Sequence, residues 1–285
     1  MYQYQDYEKY YDVNQGYNTP FKDSSKLVGI IEPPFNMWLD MYWKAVHVMA
    51  QTYNPNIELS KQAMKCFYQS LSDILPSNKL KIMFHDFINM TSDVQHTLFL
   101  NKSLTKFFSV NKDFYDKLVK DPYNFFDYCL EKSDSLFIWT FLLHAYVSIM
   151  TNENIISFNS LRANFDRNNI SKETWANPIW FVIHFSAYHA PNVINNQWAI
   201  SYKSFISSLQ YVIPCPICRT HLRENLPLVP IDNYINTKQN IFKWSVELHN
   251  IVNKSLDKPI ISLDEAIKIY DPFRQGYVLQ NSRYY

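Results

Sequence analysis

Apolar residues recur every three to four positions along much of this chain. The stretches 179–190 ("IWFVIHFSAYHA"), 201–213 ("SYKSFISSLQYVI") and 240–256 ("NIFKWSVELHNIVNKSL") each place them on one side of a helix. Asn240 is the expected N-cap of the last of these helices. Only 3 glycines occur beside 7 Trp, 21 Tyr and 20 Phe, which argues against Gly-rich phosphate loops and turn-rich β folds. The sequence therefore predicts an all-α protein.

Composition and charge narrow the functional classes. The 47% hydrophobic content supports a large buried core, and a net charge of +1 gives no electrostatic signature of nucleic-acid binding. The most apolar stretch, 136–150, is shorter than the roughly 20 residues that a membrane span needs and carries His144. It is expected to be a core helix. The polar, Tyr-rich start has no signal-peptide pattern, so we expect a cytoplasmic protein without a membrane span.

The two halves of the chain resemble each other in four blocks that follow the same order. The offset between matching residues is 137 or 138 in the first two blocks and 105 in the last two. The first copy therefore carries about 33 extra residues, within 87–132. A duplication is the simplest explanation. The matching blocks are 38–50 with 175–187, 67–76 with 205–214, 136–147 with 241–252, and 155–157 with 260–262.

The copies differ in their reactive residues. Ser77 and Leu80 of the first copy stand opposite Cys215 and Cys218 of the second, whereas the aromatic packing residues persist. We therefore expect a degenerate, non-catalytic first copy and a catalytic second copy. The predicted segments are a Tyr-rich N-terminal segment (1–30), the first copy (31–165), the second copy (166–270) and a C-terminal tail (271–285).

The sequence "CPIC" at 215–218 admits three chemistries. Covalent haem attachment needs a histidine directly after the second cysteine, and Arg219 stands there instead. A redox-active dithiol needs a cysteine whose thiolate is stabilised, as at a helix N-terminus close to a cation. A zinc site stays open as the other possibility. Its ligands would be Cys215, Cys218, His221 and either His189 or His249.

Three motifs of the second copy resemble the Erv/ALR family of FAD-dependent sulfhydryl oxidases. They are W-x4-W-x3-H-x2-A at 175–187, P-C-P-I-C-R-x-H at 214–221 and W-x4-H-N-x-V-N-x4-K-P at 244–259. The resemblance covers about 100 residues, roughly 166–270. It implies a bundle of four helices plus a short fifth that wraps FAD, preceded here by a degenerate copy of the same bundle. It also implies that the CxxC is a redox-active dithiol.

The resemblance assigns roles to individual residues. Cys218 is expected to face the flavin and Cys215 to exchange with the substrate, while electrons pass from FAD to oxygen and give hydrogen peroxide. No metal is expected. The residues that match the family's FAD contacts are Trp180, His184, Tyr188, His221, His249, Asn250, Val252, Asn253, Lys254, Lys258 and Tyr270.

The resemblance also suggests partners and a setting. Thiol-containing proteins are the expected substrates, and they must reach Cys215 directly because the chain has no second closely spaced cysteine pair. Cys66 and Cys129 are expected to be buried thiols. The two copies are expected to pack as an intramolecular pseudo-dimer, and further homodimerisation stays open. The composition resembles the branch of the family found in large DNA viruses, which act in the infected cell's cytoplasm or in the virion. The alternative is a non-enzymatic interaction module that zinc or flavin stabilises.

Overall fold

The computed structural model describes residues 33–57 and 59–275, and every regular element within these ranges is helical. An isolated β-bridge joins Val193 to Thr237. The predicted all-α class is therefore confirmed. The Tyr-rich segment 1–30 and the last ten residues of the predicted tail lie outside the described residues.

Nine α-helices lie between residues 33 and 165 in the described part of the chain. Asn101 caps the helix that begins at Lys102, because its side-chain oxygen accepts hydrogen bonds from the amides of Ser103 and Leu104. The predicted insertion at 87–132 contains α4 to α7 of this set. The helices are α1 (Phe35–Thr52), α2 (Ser60–Ile74), α3 (Asn78–Ile88), α4 (Ser92–Leu100), α5 (Lys102–Val110), α6 (Lys112–Lys120), α7 (Phe125–Cys129), α8 (Ser133–Met150) and α9 (Phe158–Asn164).

Five more α-helices follow in the described part of the chain. They are α10 (Lys172–Tyr188), α11 (Asn196–Val212), α12 (Pro216–Asn225), α13 (Lys238–Ser255) and α14 (Leu263–Gln275). Thr237 caps α13 by accepting the amide of Asn240 at 3.2 Å. The expectation that Asn240 is the cap is wrong by three residues, because the Thr237 side chain satisfies the amide in the first turn. Helix α14 continues to Gln275, five residues into the predicted tail.

One hydrophobic core runs through both halves of the chain. Helix α2 packs along α11 and α1 along α10, while α8 packs on α1 and α13 packs on α10. Between the halves, the rings of Phe67 and Phe205 lie 5.3 Å apart, and the hydroxyls of Tyr42 and Ser186 are 2.7 Å apart. Aromatic contact area of this kind dominates the energetics of a core. The helix pairs α1–α8 and α10–α13 thus contribute to one continuous core, in which α1 packs along α10.

Helix α8 contains the apolar stretch 136–150. By length and composition it is the one helix among the described residues that could cross a membrane, yet 72% of it is buried inside the fold. It packs against α1, α3, α4 and α7. This burial accounts for its apolar composition, as expected for a core helix.

Candidate functional site

The two cysteines of the CxxC sequence begin α12. Cys215 is the N-cap of this helix, and its sulfur accepts a hydrogen bond from the amide of Cys218 at 3.1 Å. Pro216 occupies the first helical position, where its missing N–H costs nothing. The two sulfurs form a disulfide with a Cα–Cα distance of 5.2 Å. The Cys215 sulfur therefore lies at the positive end of a helix dipole, which stabilises negative charge on it.

Arg219 fixes the turn that presents this disulfide. Its guanidinium donates to the carbonyl oxygen of Ile213 at 2.8 Å, and its amide donates to the carbonyl oxygen of Cys215 at 3.0 Å. Burial, followed by the charge of Arg223, lowers the pKa of Arg219. A guanidinium stays cationic under such shifts, so positive charge remains beside the disulfide.

An aromatic cluster lies where α10 meets α13. The ring of Trp180 stacks on that of His249, with centroids 3.9 Å apart and an interplanar angle of 3°. His184 lies beside both rings, and its Nε2 is 2.8 Å from Nδ1 of His249. We call Trp180, His184 and His249 the aromatic cluster. It joins three of the residues that the sequence assigned to FAD.

The hydrogen bonds of the cluster fix its tautomers. The hydroxyl of Ser245 donates to the carbonyl oxygen of Phe242 at 2.7 Å and lies 2.9 Å from Nδ1 of His184. Because a hydroxyl has a single proton, Nδ1 of His184 must be the donor to Ser245. Nε2 of His184 is then an acceptor, and Nδ1 of His249 donates to it. His249 is left with Nε2 as a hydrogen-bond acceptor.

Both histidines are neutral at neutral pH. Burial, and then the charge of His249, lower the pKa of His184 well below its usual range. Burial, and then the charge of Lys258, lower the pKa of His249 to about 4. Neutral rings suit stacking in a low-dielectric site and keep the acceptor on His249 available.

Tyr270 closes one side of the cluster. It is 2% exposed, and its ring lies 5.7 Å from that of His184. The hydroxyl of Tyr188 donates to Oδ1 of Asp271 at 2.9 Å, so Tyr188 ties α14 to α10. Both tyrosines thus hold α14 beside the histidines.

Asn250 positions the chain after α13. Its Nδ2 donates to the carbonyl oxygen of Ile261 at 2.8 Å, and its Oδ1 accepts the amide of the same residue at 3.1 Å. This two-bond contact fixes the segment that leads into α14. The structure thus gives Asn250 a positioning role next to the site.

Two exposed lysines lie at the end of α13. Asp257 has φ 51°, and the amide of Lys258 donates to the carbonyl oxygen of Asn253 at 2.9 Å. This left-handed turn is a Schellman-type helix end. It places Lys258 just beyond the last turn of α13, the turn that contains Lys254. Val252 and Asn253 are half-buried on the same turn. His221, in contrast, is exposed on α12.

An aromatic, anionic cofactor such as FAD fits these residues. Trp180 and His249 are half-buried ring faces, His249 offers an acceptor, and Lys254 and Lys258 supply cations for a pyrophosphate. A zinc ion does not fit: no group of three His, Cys, Asp or Glu side chains that could hold a metal occurs among the described residues. The two cysteine sulfurs are bonded to each other, and Nδ1 of His249 is bonded to Nε2 of His184.

The first half holds a second cluster of the same geometry. Trp43 stacks on His144 at 4.0 Å, and Nε2 of His47 is 2.9 Å from Nδ1 of His144. Thr140 lies 3.1 Å from Nδ1 of His47 and donates to a backbone carbonyl, as Ser245 does in the second half. The ring of Phe165 lies 5.5 Å from that of His47, and the ring of Tyr270 lies 5.7 Å from that of His184.

The surroundings of this second cluster differ. Phe84 of α3 stacks on Trp43, with centroids 5.7 Å apart, and Ile149 and Glu153 occupy the positions of the two lysines. Ser77 caps α3 by accepting the amide of Leu80 at 3.4 Å, so the cap survives without the thiols. The first-half cluster is thus covered by its own chain and lacks cations.

Sequence reasoning missed Ser245. Its hydroxyl orients the pair of histidines across 61 residues of sequence. The signal was present, because a hydroxyl residue follows the matching tryptophan in both copies, in "FIWT" (137–140) and in "FKWS" (242–245). The shared hydroxyl residue indicates a hydrogen bond to a histidine only when it is known that the two histidines of each copy face each other.

The two other cysteines are buried and free. Burial is the main cause that raises the pKa of Cys66, to about 11, although hydrogen bonds with Ser70 and Ser204 oppose it. Burial also raises the pKa of Cys129 well above its usual value. Thiols of this kind do not form thiolates at neutral pH, so the prediction that both are buried thiols is confirmed.

Comparison with known proteins places this site in a family context. The model of the Erv1/Alr family matches residues 177–272. A protein of Acanthamoeba polyphaga mimivirus, named "Probable FAD-linked sulfhydryl oxidase", is 30% identical over 100 residues, which are 35% of this chain and 70% of the relative.

Two other relatives have the same kind of name. The FAD-linked sulfhydryl oxidase of African swine fever virus (isolate Pig/Kenya) is 30% identical over 99 residues, 34% of this chain and 80% of the relative. The mitochondrial FAD-linked sulfhydryl oxidase of Saccharomyces cerevisiae is 30% identical over 84 residues, 28% of this chain and 41% of the relative. No solved structure matches the chain significantly.

Proposed function

This chain belongs to the Erv1/Alr family, and we propose that it is an FAD-linked sulfhydryl oxidase whose redox-active dithiol is Cys215–Cys218. The family match covers 177–272, which contains the disulfide, the aromatic cluster and the two lysines. Its substrates are pairs of thiols in proteins.

One observation carries the proposal: the Cys215 sulfur caps α12 and accepts the amide of Cys218 at 3.1 Å. A substrate thiolate attacks this sulfur, a bond forms between them, and the Cys215–Cys218 bond breaks to leave Cys218 as a thiolate. A second substrate thiolate then attacks the first substrate sulfur. The substrate disulfide forms, and Cys215 leaves as a thiolate that the helix N-terminus and Arg219 stabilise. The substrate loses two electrons and the dithiol gains them.

FAD, when bound, would supply the acceptor for this electron pair, with molecular oxygen as the final oxidant and hydrogen peroxide as the product. The chain's part is to hold the cofactor and keep its site dry. Trp180 and His249 supply stacked ring faces, and Nε2 of His249 accepts a hydrogen bond. Lys254 and Lys258 are the cations for the pyrophosphate. His184 and Tyr270 support the rings from behind.

We further propose that 31–165 is a degenerate copy of 166–270 and that the two pack as an intramolecular pseudo-dimer. The matched clusters support a common origin, because their ring distances agree within 0.2 Å for each pair of the Trp and His rings. The contact of α2 with α11, which are matching helices, supports the pairing. The first copy then acts as a built-in partner.

The setting is proposed from the relatives. The mimivirus and African swine fever virus proteins support a viral enzyme that acts in an infected cell. We propose that it works in the cytoplasm and forms disulfides in virion proteins.

The test uses the purified full chain and its Cys218→Ala variant, with Ser77→Ala, at the helix cap that matches Cys215, as the control. We expect a yellow wild-type protein that consumes oxygen when dithiothreitol is added, and a yellow Cys218→Ala variant that does not. Ser77→Ala should keep its activity and lose about 0.5–2 kcal/mol of stability. A protein without flavin, or an active Cys218→Ala variant, would overturn the proposal.

A further inference from the structure

A cavity of about 180 Å³ opens directly beside the disulfide. Pro214 and Pro216, the neighbours of Cys215 in the sequence, form one part of its wall together with Arg219. The opposite wall comes from the first half of the chain, between α1 and α2, and includes Tyr53 and Ile57. The space thus lies between the two halves, at the reactive end.

At the other end of the α2–α11 contact, a polar bridge joins the two helices. There Asp73 of α2 accepts hydrogen bonds from Ser201 and, at 3.3 Å, from Gln197 of α11. At the reactive end, Tyr211 is the residue that matches Asp73, and Ala63 is the residue that matches Ser201, each 138 positions away. Ala63 has no hydroxyl to form this polar bridge.

The wall of the cavity is suited to an apolar side chain. Tyr53 is 4% exposed and its hydroxyl is bonded to the carbonyl oxygen of Leu130, so the cavity meets mainly its ring. Ile57 and the two prolines add apolar surface. A cavity of about 150 Å³ is large enough for a benzene molecule, so this one has room for one phenylalanine or leucine side chain.

The rim carries positive charge. Arg219 lines the cavity, and its guanidinium donates to the carbonyl oxygen of Ile213 at 2.8 Å. Among the described residues it forms no ion pair with a carboxylate. An acidic side chain on a bound polypeptide would complete this arrangement.

We infer that this cavity is the docking site for the substrate polypeptide, and that it selects a reactive cysteine flanked by a large apolar side chain and an acidic residue. The inference rests on the proposed function. The apolar side chain enters between Tyr53 and Ile57, the carboxylate pairs with Arg219, and the neighbouring cysteine is held at Cys215. The new disulfide then forms by the two exchange steps described above. The degenerate half thereby supplies the substrate wall that the catalytic half lacks.

The experiment compares two substrates. One is a two-cysteine peptide that carries phenylalanine and aspartate beside its first cysteine, and the other is dithiothreitol, which is too small to need a docking site. Ile57→Trp fills the cavity. Val193→Trp is the matched control, because Val193 is 83% exposed on the equivalent loop between α10 and α11. For each holoenzyme, kcat/KM is measured from oxygen uptake for both substrates.

We expect Ile57→Trp to lower the ratio of peptide to dithiothreitol kcat/KM about tenfold or more, since it excludes one buried apolar side chain. Val193→Trp should leave this ratio as in the wild type. Replacing the peptide's phenylalanine by alanine should reduce its rate in the wild type and much less in Ile57→Trp. Replacing its aspartate by lysine should raise KM, most strongly at low salt.

The outcomes separate the two proposals. If the wild type oxidises dithiothreitol but Ile57→Trp leaves the ratio unchanged, the docking site is wrong while the oxidase stands. If the wild type oxidises neither substrate, the proposed function itself fails. Equal KM values for the aspartate and lysine peptides would overturn the role of Arg219.

Discussion

Phe67 and Phe205 pack ring against ring, 5.3 Å apart, and they occupy matching positions of the two sequence copies. A two-fold axis brings a residue and its own equivalent together, so a contact of this kind is what a symmetric dimer interface has at its centre. Here both residues belong to one chain. This contact favours the view that the degenerate half replaces a partner subunit.

We expect one FAD per chain. Phe84 covers Trp43 in the first half, and Ile149 and Glu153 stand where the second half has two lysines. A carboxylate would repel a pyrophosphate rather than bind it. The ratio of flavin absorbance to protein after denaturation measures this stoichiometry. Two flavins per chain would show that the first half also binds the cofactor.

Ser245→Ala should weaken FAD binding as well as stability. The substitution removes the acceptor of the His184 Nδ1 proton, which leaves a buried donor unpaired and costs about 1–3 kcal/mol. It also frees the tautomer that sets the acceptor on His249. Urea unfolding and FAD titration measure the two effects.

Thr140→Ala is the control for that prediction. It removes the matching hydroxyl beside His47, at a similar cost in stability, in the half that we expect to bind no FAD. The two variants should therefore differ in FAD affinity and agree in stability. An equal loss of FAD affinity in both would mean that the hydroxyl acts only through global stability.

Stability should fall as the pH drops from 6.5 to about 4. His249 has a folded-state pKa of about 4 against an ordinary value of 6.5, so the unfolded chain binds more protons in this window. The loss from this residue alone is about 3 kcal/mol across the window. Urea unfolding at several pH values gives the slope. His249→Gln should reduce the slope, and an unchanged slope in this variant would contradict the prediction.

Cys66 and Cys129 should take no part in electron transfer. Burial raises the pKa of Cys66 to about 11, and it also raises the pKa of Cys129 well above its usual value. Neither thiol is therefore nucleophilic in the folded protein. A thiol reagent should label none in the native oxidised enzyme and two per chain in denaturant. Cys129→Ala should keep full turnover. A loss of peptide turnover without a loss of stability would instead indicate a relay.

Much of the site was predictable because its chemistry is encoded in short spacings. The prolines around Cys215 indicate a helix start, and the structure places that residue at the N-cap of α12. Trp180 and His184 are four residues apart, one helical turn, so they were expected on one face. The family resemblance assigns Asn250 to FAD, and the structure adds a two-bond contact between its amide and the backbone of Ile261 that the sequence did not indicate. A side chain at a helix end can turn to either side, and sequence does not specify which.

The sequence by itself determined the helices, the matching blocks and the spacing of the dithiol, because periodicity and capping are local properties of the chain. Only the tertiary structure decided which faces meet. The bond from Ser245 to His184 and the contact of Phe67 with Phe205 join residues 61 and 138 positions apart. Such contacts depend on how each helix is rotated and tilted against its neighbours, which packing of the whole core sets. The cavity beside Cys215 exists for the same reason, since two distant segments leave a gap that neither encodes alone.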